Sequence, residues 1–198
     1  MKIYLASKSP RRKELLTQMG VDFEVLQVDT PEILQPHETP AAYSKRVTQE
    51  KLAAAWETML EKKLPILPVL CADTEVILDN AILGKPRGHD DALNMLKNYS
   101  DRDHEVITSV GVKYFNHRKV VMNRTIVTFS ILPDEAIHHY LQLSDYQDKS
   151  GGYGIQSYIG QFISKIEGCF YSVMGLPLNT TRELLAQIKS ISVGKKSA

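Results

Sequence analysis

The sequence predicts an α/β protein with a mixed, twisted sheet flanked by helices. Short apolar runs of strand type alternate with helical patterns over the first third of the chain, as is typical of this class. Strands and helices mix in a less regular order afterwards, which favours a mixed sheet. No internal repeat or low-complexity linker interrupts the chain. Residues 1–190 are therefore predicted to form one domain, and residues 191–198 a frayed polar tail.

Cap residues and apolar patterns define the elements of the first half. Ser9 and Thr39 each precede a proline, an arrangement that favours a helix start, and Gly20 favours a helix stop. The apolar run before Asp79 and Asn80 predicts a buried strand that turns there into a hairpin. The predicted elements are a strand over 2–6, a helix over 10–20, a strand over 23–28, a helix over 40–62 and a strand over 67–78.

The second half contains longer strands and a loop rich in glycine. Alternating patterns predict two strands joined near Asn116, and Pro133 marks the start of a helix. The predicted order is a helix over 90–97, strands over 105–115 and 120–131, a helix over 133–143, a loop over 150–160, a hairpin formed by 162–166 and 169–173, and a helix over 177–188.

Composition excludes several classes of protein. The 198 residues include 24 Lys and Arg against 23 Asp and Glu, a net charge of +1, which argues against a basic surface for nucleic acid. No apolar run approaches the roughly 18 residues that cross a bilayer. The apolar stretch near the N-terminus is too short for a signal peptide. Cys71 and Cys169 form no CxxC motif, so we expect a cytoplasmic protein. From the charge and the lack of a long apolar run we expect neither a nucleic-acid nor a membrane partner.

The net charge of the whole chain is near zero, but the N-terminal segment is cationic. The first 20 residues have a net charge of +4, and Arg11 and Arg12 fall in the first turn of the predicted helix. Cations there are disfavoured by ~0.3–1 kcal/mol each, and such local violations are typical of functional sites. Backbone N–H groups, the two arginines and the hydroxyls of Ser7 and Ser9 would together bind a phosphate. The alternative is a solvated charge run on a surface helix.

Asp73 interrupts an otherwise apolar strand. A carboxylate there is costly unless it is paired or binds a metal. Strand alternation places Asp73 and Glu75 on one face, about 7 Å apart. Such a group can hold a divalent ion or deprotonate a water. The alternative is that the strand ends at Ala72 and the polar residues form a solvated bend.

Lysines and a glycine-rich loop provide further candidates. Lys51 lies on an apolar helical stripe with Val47 and Ala55, where most lysines simply extend to solvent. Lys85 follows Gly84, and alone is an ordinary loop lysine. The loop around residues 151–154 lacks the third glycine of a dinucleotide fingerprint, and no Walker A motif is present.

These pieces occur in an order that resembles the Maf nucleotide pyrophosphatases. The resemblance covers about residues 3–188 and rests on six motifs. They are Leu5-Ala6-Ser7-x-Ser9-Pro10-Arg11-Arg12-x-x-Leu15-Leu16, Glu50-Lys51, Ala72-Asp73-Thr74, Gly84-Lys85-Pro86, Asp148-Lys149 with Tyr153-Gly154-Ile155-Gln156, and Gly175-Leu176-Pro177-Leu178.

The resemblance implies a fold, a reaction and roles for single residues. It implies two lobes around a central cleft, in a homodimer, that hydrolyse a nucleoside triphosphate to the monophosphate and pyrophosphate with Mg²⁺ or Mn²⁺. Asp73 would be the general base and, with Glu32, a metal ligand. The triphosphate would be bound by Ser7, Arg12, Lys51 and Lys85.

Three positions distinguish the branches of this family. The 7-methyl-GTP branch has Trp, Gln and Glu where this sequence has Arg11, Thr74 and Gln156, so the resemblance is to the dTTP/UTP branch. A glutamine amide both donates and accepts, as the imide edge of thymine or uracil requires. Ser157, Ser172 and Glu75 depart from the family pattern, and Glu75 could add a metal ligand.

Two alternatives stay open at the level of sequence. One is hydrolysis of 7-methyl-GTP or of a broad range of triphosphates. The other is a non-catalytic, nucleotide-responsive regulator, because the family has been linked to septum formation.

Overall fold

Seven strands form one mixed sheet in the part of the chain that the computed structural model describes, residues 1–194. Their order is β2-β1-β3-β5-β6-β7, and β4 pairs with β3. β1 runs parallel to β2 and to β3, whereas β3–β4 and β6–β7 are antiparallel. The strands are β1 Lys2–Leu5, β2 Asp22–Val25, β3 Val69–Leu78, β4 Ala81–Leu83, β5 Asp103–Tyr114, β6 His117–Phe129 and β7 Ile163–Glu167.

Six α-helices complete the described chain, and the predicted α/β class is confirmed. Two short 3₁₀ turns lie at Ser150–Gly152 and Tyr158–Phe162, inside or beside the predicted loop. The helices are α1 Pro10–Gln18, α2 Pro40–Glu61, α3 His89–Tyr99, α4 Asp134–Gln142, α5 Phe170–Val173 and α6 Leu178–Gly194. α6 extends past the predicted end at Ile188, and the last part of the predicted tail, 195–198, lies outside the described residues.

The chain divides into two compact units. Unit 1 comprises 1–73, 108–122 and 175–198, and unit 2 comprises 74–107 and 123–174. In unit 1, α2 begins at the predicted cap, where Thr39 Oγ1 accepts a hydrogen bond from the Ala42 N–H (3.3 Å). The α2 stripe packs on the parallel strands, and the core contains Tyr4, Ala6, Leu26, Leu52, Ala55, Trp56, Met59, Val69 and Cys71.

Unit 2 is built around a larger apolar core. The predicted hairpin at Asp79 and Asn80 is confirmed, since both have positive φ (52° and 64°) and β3 pairs back with β4. The core contains Val76, Leu78, Ala92, Leu96, Tyr99, Val106, Val127, Phe129, Leu132, Ile137, Tyr140, Leu141, Tyr146, Tyr153, Ile155 and Ile159.

The predicted hairpin of 162–166 with 169–173 is wrong. β7 pairs with β6, and the second segment forms the short helix α5. Gly168 turns the chain at φ 131°, and the Cys169 N–H donates to Thr125 Oγ1 (3.1 Å). A five-residue apolar run fits a strand or a helical turn equally well, so its pattern could not decide.

His104 is buried among aromatic rings in the core of unit 2. Its ring stacks on Phe129, and its Nε2 lies 2.6 Å from the hydroxyl of Tyr153. Burial lowers the pKa of His104 to about 4, against an ordinary value of 6.5. The native state therefore keeps this imidazole neutral at a pH where the unfolded chain protonates it.

We expect His104 to make the fold sensitive to acid. Between pH 6.5 and about 4 the unfolded state binds one more proton, so stability falls as the pH falls through this window. From pH 7 to pH 4.5 the loss attributable to His104 should be about 2 kcal/mol. Urea unfolding at both pH values measures it. In His104→Phe the free energy of unfolding should depend less on pH by this amount. The exposed control His138→Phe should keep the pH dependence of the wild type. Equal slopes in all three proteins would refute the assignment.

Candidate active site

The turn between β1 and α1 fixes the cationic segment. Ser9 has extended backbone angles (φ −62°, ψ 120°) at the helix start, and its side chain makes no cap hydrogen bond. Ser7 Oγ instead accepts hydrogen bonds from the Ser9 N–H (3.2 Å) and from Arg12 Nη1 (3.1 Å). Arg12 Nε also donates to the Gly175 carbonyl (2.9 Å). The predicted pair of Ser7 and Arg12 is thus brought together at a helix N-terminus, the arrangement that favours anions.

Arg12 is a guanidinium held in a desolvated position. Burial lowers its pKa, and the negative charge of Asp73 opposes that effect. An arginine remains protonated even when its pKa falls somewhat, so the group keeps its positive charge. Arg11, beside it, is half-buried.

Lys51 joins two carboxylates that lie far apart in the sequence. Its Nζ lies 2.5 Å from Asp73 Oδ1 and 2.6 Å from Glu32 Oε1. The side chains of Lys51 and Asp73 are 13% and 7% exposed, whereas that of Glu32 is 52% exposed. The predicted stripe explains this, since Val47 and Ala55 are fully buried and hold Lys51 inward. The solvated-bend and surface-lysine alternatives therefore do not hold.

The two carboxylates keep Lys51 protonated. Burial alone would lower its pKa, but the charge of Asp73 and hydrogen bonds to Asp73 and Glu32 outweigh it, so the pKa is raised. β3 continues through Asp73, as nearly every residue from 69 to 78 is buried. Strand β3 positions the carboxylate of Asp73, and the loop before α2 positions that of Glu32.

A nucleophilic thiol is not part of this site. Cys71 is fully buried on β3, and its Sγ donates to the Thr48 carbonyl (3.2 Å). Burial raises the pKa of its thiol to about 12, which leaves almost no thiolate at neutral pH. The reactive group must therefore be sought among the oxygen and nitrogen side chains.

The remaining predicted residues lie in unit 2, apart from Arg11. Lys85 and Gln156 are exposed, and Thr74 is half-buried directly after Asp73. The chain next to Lys85 is tied to the glycine-rich loop, because the Gly84 carbonyl accepts from the Gly151 N–H (2.9 Å).

Two buried side chains stiffen that loop: Lys149 of the predicted Asp148-Lys149 motif, and Tyr99, which the sequence did not single out. The Tyr99 hydroxyl donates to the Gly151 carbonyl (2.9 Å). Lys149 Nζ donates to the carbonyl of Asp145 and to the carboxylates of Asp145 (2.7 Å) and Asp148 (3.1 Å). No pattern in the sequence pairs Tyr99 with a loop 52 residues away.

Within residues 1–194 there is no group of three or more His, Cys, Asp or Glu side chains that could hold a metal ion. No helix of the same region is long and apolar enough to cross a membrane. Asp73 and Glu32, which meet at Lys51, are the predicted metal ligands that the structure does bring together.

This combination defines an α/β protein with a cationic helix start in the same unit as a buried carboxylate and lysine. Residues 2–188 match the family described as Maf-like protein. The chain belongs to this family, as its motifs indicated.

Two relatives cover nearly the whole chain. A dTTP/UTP pyrophosphatase of Dechloromonas aromatica (strain RCB) is 40% identical, over 95% of this chain and 98% of that protein. A dTTP/UTP pyrophosphatase of Aliivibrio fischeri (strain ATCC 700601 / ES114) is 43% identical, over 93% and 97%. Among solved structures, the Staphylococcus aureus Ham1 protein is 14% identical, with a TM-score of 0.41 over 65% of this chain and 72% of that one.

Proposed function

We propose that this protein is a dTTP/UTP pyrophosphatase, which converts each triphosphate to its monophosphate and pyrophosphate. The observation that carries the proposal is the buried contact of Asp73 with Lys51, inside a chain that is 40–43% identical to two enzymes of that name. A buried carboxylate beside fixed cations suits hydrolysis of a polyanion, because it places a base next to groups that bind phosphate.

The donor set fits a divalent cation that is shared with the substrate. Asp73 and Glu32 already converge on one positive charge, the ammonium of Lys51. Mg²⁺ is commonly bound by one or two carboxylates together with substrate phosphates, rather than by a complete protein cage. We therefore assign Mg²⁺ or Mn²⁺ to these two carboxylates. When bound, the cation would neutralise charge on the triphosphate and on the departing pyrophosphate.

The phosphate-binding residues act through fixed charge. Ser7 and Arg12 bind each other at the start of α1, so their donors are already oriented. We assign the triphosphate to these two residues together with Lys51 and Lys85. Preorganised donors lower the barrier because they need not reorient as negative charge moves toward the leaving group.

Asp73 supplies the base. Its Oδ1 lies 2.5 Å from the Lys51 ammonium, and an ionised carboxylate is the form that accepts a proton. In the proposed step, water attacks the α-phosphorus and gives a proton to Asp73. The bond from the α-phosphorus to the oxygen that bridges it to the β-phosphorus breaks, and that oxygen leaves with pyrophosphate. The water oxygen remains on the nucleoside monophosphate.

Base selection falls to Gln156, with Arg11 and Thr74 as further branch-specific positions. The imide edge of thymine or uracil presents one N–H donor between two carbonyl acceptors. The glutamine oxygen accepts from that N–H, and its amide donates to a neighbouring carbonyl. The exposed position of Gln156 leaves the amide accessible to a ligand.

We also propose a cytoplasmic location and a homodimeric state. Cys71 and Cys169 are both free thiols, which suits a reducing compartment. Size-exclusion chromatography with light scattering would measure the oligomeric state.

A substrate panel tests the function. The protein is incubated with dTTP, UTP, dGTP or 7-methyl-GTP and either cation, and pyrophosphate and orthophosphate are measured. We expect pyrophosphate from dTTP and UTP. Orthophosphate release, or turnover of 7-methyl-GTP alone, would contradict the proposal. Calorimetric binding of dTTP without turnover would instead favour a nucleotide-responsive regulator.

Gln156→Glu should lower kcat/KM for dTTP and UTP by about 100-fold, because a carboxylate repels the base carbonyl to which the amide donates. The loss should be much smaller for 7-methyl-GTP. Gln161→Glu introduces the same charge at another exposed glutamine and should change neither value. An unchanged preference in Gln156→Glu would remove this residue from base selection.

A further inference from the structure

We infer that Arg46 is a positioning residue that holds Glu32 at the metal-binding carboxylate pair. The inference rests on the proposed function, which gives Glu32 its role. It concerns how a partly exposed side chain on an irregular segment is kept beside Lys51.

The segment that carries Glu32 is not held by burial. It lies between β2 and α2 without helix or strand, and Ile33 and Leu34 are 69% and 51% exposed. Apolar packing of these side chains therefore contributes little to fixing the backbone around Glu32. Polar contacts to α2 must do this instead.

Two neighbouring carbonyls of the segment are bound by side chains of α2. The Tyr43 hydroxyl donates to the Glu32 carbonyl (3.1 Å), and Arg46 Nη2 donates to the Ile33 carbonyl (3.0 Å). Tyr43 and Arg46 are three residues apart and so share one helix face. The backbone on both sides of the Glu32–Ile33 peptide is thus tied to the helix that carries Lys51.

Arg46 is itself fixed by a two-pronged contact. Its Nε and Nη2 donate to the two carboxylate oxygens of Glu38 (2.7 and 2.6 Å), and Nη1 donates to Glu50 (3.0 Å). Glu38 Oε2 also accepts a hydrogen bond from the Gln35 N–H (3.2 Å), so the same carboxylate binds the backbone of the segment that carries Glu32. The side chains of Arg46 and Glu38 are only 22% and 9% exposed.

Only a planar guanidinium can make these contacts together. Lysine keeps the charge but is a point donor, and it cannot bind Glu38 through two parallel hydrogen bonds while reaching the Ile33 carbonyl. Arg46→Lys therefore removes the geometry and keeps the charge. Groups that orient metal ligands typically contribute 10- to 100-fold in metal affinity.

We expect Arg46→Lys to raise the Mg²⁺ concentration for half-maximal dTTP hydrolysis about 10-fold, with kcat at saturating Mg²⁺ within about threefold of wild type. A second readout does not need turnover. Mn²⁺ is titrated into the protein with a non-hydrolysable dTTP analogue, and free Mn²⁺ is followed by electron paramagnetic resonance. Its Kd should rise by a similar factor. Arg87→Lys, the same change at a 91% exposed arginine, should alter neither value.

The outcomes separate the inference from the function on which it rests. Unshifted Mg²⁺ and Mn²⁺ midpoints in Arg46→Lys, or a fall in kcat that excess Mg²⁺ does not relieve, would overturn it. If Arg46→Lys does not fold, Tyr43→Phe removes only the hydroxyl on the Glu32 carbonyl and should shift both midpoints about threefold in the same direction. A wild-type protein without turnover refutes the proposed function, and the Mn²⁺ titration still decides the role of Arg46.

Discussion

Asp73→Asn is expected to lower kcat for dTTP by at least about 1000-fold while the chain stays folded. The substitution removes the proposed proton acceptor, which is also a proposed metal ligand, and changes almost nothing in size. General-base catalysis contributes roughly 100- to 10,000-fold, and loss of the ligand adds to it. The fold should survive because the asparagine oxygen can still accept from Lys51, which also contacts Glu32.

Pyrophosphate release under saturating dTTP and Mg²⁺ measures this effect, and circular dichroism with thermal melting checks the fold. Asp90→Asn serves as the matched control, because it makes the same change at a 96% exposed side chain and should keep full activity. An undiminished rate in Asp73→Asn would remove Asp73 from the mechanism. An unfolded variant would show that its role is structural.

Much of the fold follows from local patterns in the sequence. The Thr39–Pro40 start of α2, the turn at Asp79 and the continuous apolar run of β3 are all short-range signals, and each is confirmed. Such signals suffice because capping, turn geometry and periodicity depend on residues within a few positions of one another. The apolar stripe of α2 places Lys51 between buried residues, but most lysines on such a stripe extend to solvent, and only the structure shows this one paired with Asp73 and Glu32.

The contacts that build the candidate site are a different case. Lys51 meets Asp73 and Glu32 across separations of 22 and 19 residues, and no spacing rule pairs them. The two-pronged contact of Arg46 with Glu38 spans eight residues and depends on the path of an irregular segment. Motif resemblance indicated which residues matter, but only the folded chain shows which ones touch.

The structure also explains the net charge of +1, because it shows where the opposite charges lie. The cations near α1 and the carboxylates at Lys51 lie in the same unit. The negative charge of Asp73 acts to raise the pKa of Arg12. Near-neutrality therefore reflects opposed local charges. Opposed charges of this kind suit the proposed ligands, a polyanion and a divalent cation, because each local field favours one of the two.

The second large effect is expected from Lys51→Met, which removes the cation between two carboxylates. The variant should lose about 100-fold or more in kcat/KM for dTTP, since the lysine is assigned to the triphosphate. It should also lose about 3 kcal/mol of stability, because truncating one partner of a buried ion pair leaves the other charge poorly compensated. Arg12 keeps its positive charge and interacts with Asp73, so it should offset part of this loss.

Divalent cations should reverse part of that stability loss. With the ammonium gone, Mg²⁺ supplies the positive charge that Asp73 and Glu32 share, so it should raise the Tm of Lys51→Met more than that of wild type. Urea unfolding and thermal melting, each with and without Mg²⁺, measure this. Lys97→Met, which removes a half-exposed lysine paired with Asp134 at 3.7 Å, should change stability by less than about 1 kcal/mol and show no added Mg²⁺ effect. If Lys51→Met is as stable as wild type, the ion pair of Lys51 does not stabilise the fold. If the variant gains nothing from Mg²⁺, the two carboxylates do not form a cation site.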